Sequence, residues 1–560
     1  MTIVTGHTTC LDSKQAQPDR GDYVDITKPM PLPYFKQYLT FSPTGLHVEN
    51  IIRACLLSDY NTPLYYLLLA AWLSQVGISD LNLRIPAIIF SLFTLPFIWL
   101  IASRLGNRKS AFISCLFFAA APVSLYFSTE GRLYALLVFL SSVFIWLTIL
   151  LPAAKRGSRL ILAAAWVIVS GLALLISYVF SPAFVACTIW LACQHKSFPL
   201  KYLIPMFLSS AMISMVWYLR IPQVLAIHNV GSYCQSGHDP LWLMIMFPFS
   251  HLLSFTSSIG SDPGIPQECF SIFTAMILLP FIPLILPIFK NRFWNNVSAK
   301  LLLIGFLLDG AMELIIHVIV FVEKSKQLTA SALILFLFLA ILIAVWKYFR
   351  NDTFIQSQNF DPRLQLLYLI IAMSTVSPCL FDLVRNMHMS YHYRYTLSCL
   401  PAAIVLAAIA LSKCQKQLLI LLLIISVSIP IYLVYGYRES RNQGEDYKRL
   451  GRILAHAKAN DLIIVDYCYV ITAFGVARYL PVEKELVAWS SYVHRDNLED
   501  DLTSILRGKK GVYLVRIGPD DRKEHANEGW LAHNAIKKQD WFFSMQDYCK
   551  YFIPKKKETF

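Results

Sequence analysis

The run Arg132-Leu-Tyr-Ala-Leu-Leu-Val-Phe-Leu-Ser-Ser-Val-Phe-Ile-Trp-Leu-Thr-Ile-Leu-Leu-Pro152 decides the class of this molecule. No charge stands between its terminal Arg and Pro, and its length matches the roughly 20 residues a helix needs to cross a bilayer. Runs of this kind recur along the chain. They explain a composition of 56% apolar and only 15% charged residues over 560 positions, where soluble proteins carry about 25% charged residues. The sequence therefore reads as a polytopic membrane protein. Collagen-like, disordered and small disulfide-rich classes are excluded.

Working outward from that run, about twelve spans are expected: 84–103, 110–126, 132–152, 158–178, 180–194, 202–220, 270–289, 300–321, 328–347, 364–383, 395–412 and 417–435. Blocks 62–78 and 241–258 are weaker. The first contains Pro63 and the second is broken by Pro248, Ser250 and His251, so both read as interfacial or re-entrant helices. The net charge of +14 comes from 49 basic and 35 acidic residues, and much of it falls in alternate short loops. Arg104, Arg108 and Lys109 mark one such loop; Lys155, Arg156 and Arg159 mark another; Lys290, Arg292 and Lys300 a third. Loops rich in Lys and Arg face the cytoplasm. The surplus therefore orients the spans and does not point to nucleic acid. The opposite, outer face then receives Arg84 and the segment before it, 126–131, 221–269, 322–327, 384–394 and everything after 436.

The tail changes character. Glu445 to Ala459 reads as an amphipathic helix with Tyr447, Leu450, Leu454 and Ala457 on one face, while Asp461–Asp466 and Gly511–Arg516 read as buried strands. The expected organisation is a polar N-terminal segment or outer loop (1–60), an all-α transmembrane domain (61–435) and a small extracytoplasmic α/β domain (436–560). Lys555 to Lys557 read as a solvated basic end.

No secretory signal is expected in the polar, proline-containing first 35 residues. Cys115, Cys187, Cys193 and Cys379 lie in apolar blocks as small fillers; Cys234 with Cys269, and Cys468 with Cys549, are either disulfide couples in an oxidising compartment or free thiols. No Walker or dinucleotide motif is present and no spacing singles out a metal site, so no cofactor is expected, and the sequence leaves a divalent-metal requirement open.

Three stretches carry chemistry-bearing residues in order. The first is Ser58-Asp-Tyr-Asn-Thr-Pro-Leu-Tyr-Tyr66, followed by Leu83-Arg84-Ile-Pro86. The second is Tyr126-Phe-Ser-Thr-Glu-Gly-Arg-Leu-Tyr134. The third is Tyr391-His-Tyr-Arg-Tyr395, followed by Leu400-Pro401. Together they resemble the GT-C glycosyltransferases of the protein-mannosyltransferase and aminoarabinose-transferase type. That family shows Asp, then Pro-Pro-Leu-Tyr-Tyr, then Leu-Arg-Leu-Pro, then Ser-Gln-Glu-Ala-Arg-x-Tyr and a late Arg-Tyr. The resemblance implies a GT-C-like membrane domain with an outer α/β tail. It also implies transfer of a sugar from a polyprenyl-phosphate carrier to a lipid, glycan or protein acceptor at the outer face of the cytoplasmic membrane. Such chemistry needs a carboxylate for the acceptor hydroxyl and a guanidinium for the phosphate. Asp59 and Glu130 are candidate carboxylates. Arg84, Arg132, His392, Arg394 and Tyr395 are candidate phosphate or substrate ligands.

The family begins with an apolar helix and an Asp-Glu pair. Neither stands before residue 60 here, and Asp22 and Asp25 lie at about the right distance upstream of Pro63 to serve instead. Asp309, Glu313 and His317, spaced i, i+4 and i+8 in the 300–321 block, share a helix face. Ionisable groups inside a span face a cavity or a partner, so the stripe reads either as the polar wall of a substrate or proton path, or as interhelical hydrogen bonding with one or two of the groups protonated. It also supports a competing expectation, a transporter or flippase for lipid-linked glycans. A catalytically degenerate scaffold is the third reading.

Overall fold

The computed structural model describes residues 3–7, 29–42, 45–58, 62–221, 362–385, 393–412, 443–458, 460–466, 471–480, 484–489, 498–516, 526–542 and 548–555. Two compact units emerge, one from Met1–Ile78 with Arg441–Phe560 and the other from Ser79–Ser440. In chain order the helices are α1 (Leu32–Lys36), α2 (Val48–Ser58), α3 (Leu64–Val76), α4 (Asp80–Leu105), α5 (Arg108–Ala120), α6 (Pro122–Thr129), α7 (Tyr134–Leu150), α8 (Arg156–Ile176), α9 (Ser181–Cys193) and α10 (Leu200–Tyr218). Then come α11 (Pro362–Arg385), α12 (Leu400–Ser412), α13 (Gln443–Ala455), α14 (Ile471–Tyr479), α15 (Leu498–Leu506) and α16 (Ala526–Asn534).

The Ser79–Ser440 unit is helical throughout its described residues. Four helices there are long and apolar enough to cross a membrane: Asp80–Leu105, Tyr134–Ala153, Arg156–Ile176 and Leu200–Tyr218. They match four of the expected spans, and the chain is a membrane protein. The expected span 110–126 is different. It breaks into Arg108–Ala120 and Val123–Thr129, bent by 58°. Pro122 is the cause: the residue before a proline is pushed out of the helical region, and Ala121 sits at φ −61, ψ 126. The expected spans 180–194 and 395–412 are also shorter than read. Ser181–Cys193 and Leu400–Ser412 have 13 residues each, about 20 Å at 1.5 Å per residue. Leu400–Ser412 is preceded by a 3-10 segment, Tyr393–Cys399. The expected spans 270–289, 300–321, 328–347 and 417–435, and the weak block 241–258, lie outside the described residues.

α7 is the hub of this unit. Most of its residues are buried, whereas α4, α8 and α10 bury fewer than half of theirs. It packs against α4 and α8, while α8 packs on α10, α12 on α5, and α11 on α9. Apolar surface alone does not drive helices together in lipid, so close packing and side-chain hydrogen bonds hold them. Phe144 of α7 meets the rings of Trp166, Phe180 and Phe184. Trp166 Nε1 donates to Thr148 Oγ1 at 3.0 Å, and the hydroxyls of Ser170 and Ser210 lie 2.7 Å apart.

The other unit contains a six-stranded sheet of order β1-β3-β2-β4-β6-β5. The strands are β1 (Met30–Pro31), β2 (Asp461–Asp466), β3 (Glu485–Trp489), β4 (Gly511–Arg516), β5 (Ala535–Phe542) and β6 (Tyr548–Pro554). β3, β2 and β4 are parallel. β6 joins β4 antiparallel, β5 pairs with β6, and β1 closes the far edge antiparallel to β3. Side chains alternate across the sheet. Ile463 and Val465 therefore enter one core with Leu450, Leu454, Phe474 and Phe35, and Leu462 and Ile464 enter the other with Leu502, Leu506 and Leu531. The expected helix face holds for Leu450 and Leu454, which are fully buried, but α13 ends at Ala455, so Ala457, nearly fully buried, lies beyond the helix rather than on its face. Residues 30–39, read from sequence as part of a polar segment, supply a strand and the core residues Leu32, Phe35, Tyr38 and Leu39. Cys549 is a free, buried thiol, and burial pushes its pKa up to about 12; Cys468 lies outside the described residues. α3, from the weak block 62–78, has 13 residues and is too short to cross the roughly 30 Å hydrocarbon layer.

Candidate functional site

The candidate site forms where the bent α5–α6 segment hands the chain to α7. α6 ends at Thr129, whose hydroxyl donates back to the carbonyls of Leu125 and Tyr126 at 3.2 and 3.1 Å. Glu130 N–H still bonds to Tyr126 O at 3.1 Å, and Arg132 N–H then reaches Glu130 O at 2.8 Å. This second bond spans two residues and makes a tight turn centred on Gly131. Only glycine fits there, because a Cβ would lie 2.8 Å from the carbonyl oxygen of Leu83. The turn thus rests on the first turns of α4.

The turn brings Glu130 and Arg132 together, with Arg132 Nη1 3.7 Å from Glu130 Oε1. The Arg132 guanidinium stands 5.4 Å from the ring centre of Tyr134, the first residue of α7. Tyr134 is buried and packs against Phe127 at a ring separation of 4.6 Å. From the other end of the unit's sequence, the 3-10 segment delivers Arg394 and Tyr395. That segment packs against α7 and α11, and Ser398 Oγ donates to Val179 O at 3.1 Å. Arg394 lies 5.1 Å from the Tyr395 ring centre. Its Nε is buried and has no hydrogen-bond partner among the described residues.

These groups form one electrostatic cluster. Tyr134 interacts with Arg132, Arg394, Glu130 and Tyr395 together, and Arg394 also feels the like charge of Arg132. Among the described residues of the cluster, two guanidinium groups stand against one carboxylate and leave a surplus of positive charge. The aromatic faces offset part of the repulsion, by about 0.5–2 kcal/mol each. An anion placed between the two arginines would offset more, and a guanidinium fork matches phosphate oxygens.

The structure thus joins four sequence-predicted residues: Glu130, Arg132, Arg394 and Tyr395. Arg84 is exposed at the start of the second turn of α4, one residue beyond the Leu83 carbonyl that abuts Gly131. Asp22, Asp25, Asp59, His392, Asp309, Glu313 and His317 lie outside the described residues. Tyr134 was not singled out from sequence; the signal was its position two residues after Arg132, at the mouth of a span. Among the described residues no three His, Cys, Asp or Glu side chains group as metal ligands.

No family model matches the chain, and no curated protein matches it. Solved structures do show similarity. ArnT from Cupriavidus metallidurans in the apo state is 12% identical, with 88% of this chain and 87% of that chain covered at a TM-score of 0.36. The same protein bound to undecaprenyl phosphate is 11% identical, with 89% and 88% covered at 0.35. The Archaeoglobus fulgidus oligosaccharyltransferase in complex with Zn and sulfate is 11% identical, with 81% of this chain and 59% of that chain covered at 0.36.

Proposed function

We propose that this protein is a membrane glycosyltransferase that moves a sugar from a polyprenyl-phosphate carrier to an acceptor hydroxyl. The observation that carries this reading is the convergence of Arg132 and Arg394 around buried Tyr134, with Glu130 as the carboxylate that meets Arg132. Positive surplus at a helix mouth suits a phosphate whose isoprenoid tail lies along apolar helices. The ordered motifs around Asp59, Arg84, Glu130 and Arg394 support the same class.

The mechanism we infer is a displacement with inversion. A carboxylate takes the acceptor proton, the acceptor oxygen forms its bond to the anomeric carbon, and the bond from that carbon to the phosphate oxygen breaks. Polyprenyl phosphate leaves with the electron pair, and Arg132 and Arg394 stabilise its growing negative charge. Glu130 is already paired with Arg132, so its fitting role is to hold that arginine. Asp59, Asp22 and Asp25 are the proposed sources of the base, and His392 and Arg84 further phosphate ligands. The acceptor class proposed is a lipid, glycan or protein hydroxyl. Alternating basic loops support a polytopic topology, with the site and the α/β domain on the outer face of the cytoplasmic membrane.

The test is transfer from a synthetic polyprenyl-phosphate sugar by the full chain in lipid nanodiscs. Removing a preorganised donor to a developing oxyanion costs about 10²–10³ in rate, so Arg394→Ala is expected to fall by that factor while Arg394→Lys retains part of the activity. Full transfer by Arg394→Ala and Arg132→Ala would remove the assignment. Carrier flux across the bilayer without product would establish a transporter instead.

A further inference from the structure

One end of the α/β sheet gathers cations that the proposed reaction does not use. β2, β3 and β4 are parallel, so their amino ends lie together. β6 runs antiparallel to β4, so its carboxyl end lies there as well. Each adjoining connection brings lysine: Lys458 before β2, Lys484 before β3, Lys509 and Lys510 before β4, and Lys555 after β6. Arg507 follows α15 just ahead of the Lys509–Lys510 pair.

Part of this charge has a structural use. Helix carboxyl ends carry about half a negative charge each, and α13, α14 and α15 all end on this side, because each leads into a parallel strand. Lys484 donates to Ala457 O, and Lys36 Nζ reaches Leu480 O at 2.7 Å. Lys555 Nζ reaches His533 O at 2.8 Å, and Lys509 pairs with Glu485 at 2.6 Å. The full charges of the capping lysines exceed the half charges that they meet. Lys458, Lys510 and Arg507 are exposed, and no ion pair joins them to an acid among the described residues. Asp461, the acid nearest Lys458 in sequence, is buried and accepts the Lys458 backbone N–H at 2.8 Å.

We propose that this end of the domain docks onto anionic phospholipid headgroups of the membrane that the chain spans. Charge complementarity selects the headgroup. Attachment to spanning helices keeps a bilayer surface at high effective concentration, so that individually weak attractions between lysine and lipid add up. A soluble polyanion lacks that advantage.

The experiment uses the full chain in nanodiscs of pure phosphatidylcholine or of a two-to-one mixture with phosphatidylglycerol. An amine-reactive reagent with mass-spectrometric readout reports on Lys458 and Lys510. Labelling of both is expected to slow by at least about threefold in the anionic discs. The protection should vanish in about 1 M salt, where the Debye length falls to about 3 Å, and should weaken in Arg507→Glu. Equal labelling in the two discs overturns the proposal, as does protection that ignores both lipid and salt. Protection by soluble dextran sulfate, with none from phosphatidylglycerol, overturns it in favour of a soluble polyanion.

Discussion

The two units of this chain hide their apolar residues by different rules. In the α/β unit, alternate residues of one strand enter opposite cores: Ile463 and Val465 go one way, Leu462 and Ile464 the other, and all are fully buried. In the helical unit, large apolar side chains stay exposed on the spans, Ile161 and Met212 at 73% and Val216 at 76%. Water drives the first arrangement, because burying apolar surface is worth about 25 cal/mol per Å². Lipid removes that drive from the second, where interfaces depend on fit and on hydroxyl pairs. Truncation separates the two rules most sharply. Leu454→Ala in the α/β core should destabilise that unit by about 2–5 kcal/mol, whereas Val216→Ala on α10 should change stability by less than about 0.5 kcal/mol. Thermal unfolding in detergent, read by limited proteolysis of each unit, makes the comparison. Equal losses would break it.

That contrast also explains what was legible in the sequence. Strands Asp461–Asp466 and Gly511–Arg516 are found where the apolar runs placed them, and the helix face of Leu450 and Leu454 is buried as its periodicity required. Both signals come from water. The spans 84–103, 132–152, 158–178 and 202–220 were legible by length alone, since lipid demands a minimum length. Which face of a span is buried was not legible, because the lipid side is as apolar as the protein side. The break at Pro122 was missed because apolar content runs straight through it. β1 was missed for another reason: Met30–Pro31 pairs with Leu486 and Glu485, and no local pattern announces a partner that far along the chain. In the site, Arg132, Glu130, Arg394 and Tyr395 were legible through the stretches Tyr126–Tyr134 and Tyr391–Tyr395 that carry the family resemblance. Their convergence on Tyr134 was not, because it depends on the 3-10 segment packing against α7.

A second difference concerns glycine. Gly157, near the start of α8, has open space where a Cβ would stand, whereas Gly131 has the Leu83 carbonyl 2.8 Å away. A backbone oxygen cannot swing aside as a side-chain tip can. Gly131→Ala should therefore shift the turn that pairs Glu130 with Arg132, and misplacement of that order costs about 10–10² in rate. Gly157→Ala should leave transfer unchanged. Turnover measured with both variants at matched thermal stability sharpens the claim that the turn positions the site; a Gly131→Ala enzyme with wild-type turnover would remove it.

The smallest expected effect tests how the spans adhere. α8 and α10 meet through the buried Ser170–Ser210 hydroxyl pair at 2.7 Å, yet each hydroxyl also reaches a carbonyl of its own helix, Val167 O at 3.1 Å and Met206 O at 3.0 Å. Removing one serine therefore leaves the other satisfied. A double-mutant cycle of Ser170→Ala and Ser210→Ala should return a coupling of only about 0.6 kcal/mol, the usual size for interhelical hydrogen bonds in membranes. Close approach should matter more. A Cβ on Gly171 would lie 2.8 Å from Ile213 Cγ2, so Gly171→Ala must push α10 away and cost more than the hydroxyl coupling. Thermal unfolding of the four variants in one detergent decides the order. A serine coupling larger than the Gly171→Ala loss would mean that polar pairing, not fit, holds these helices, and the contrast between the two units would have to be drawn on hydrogen bonds instead.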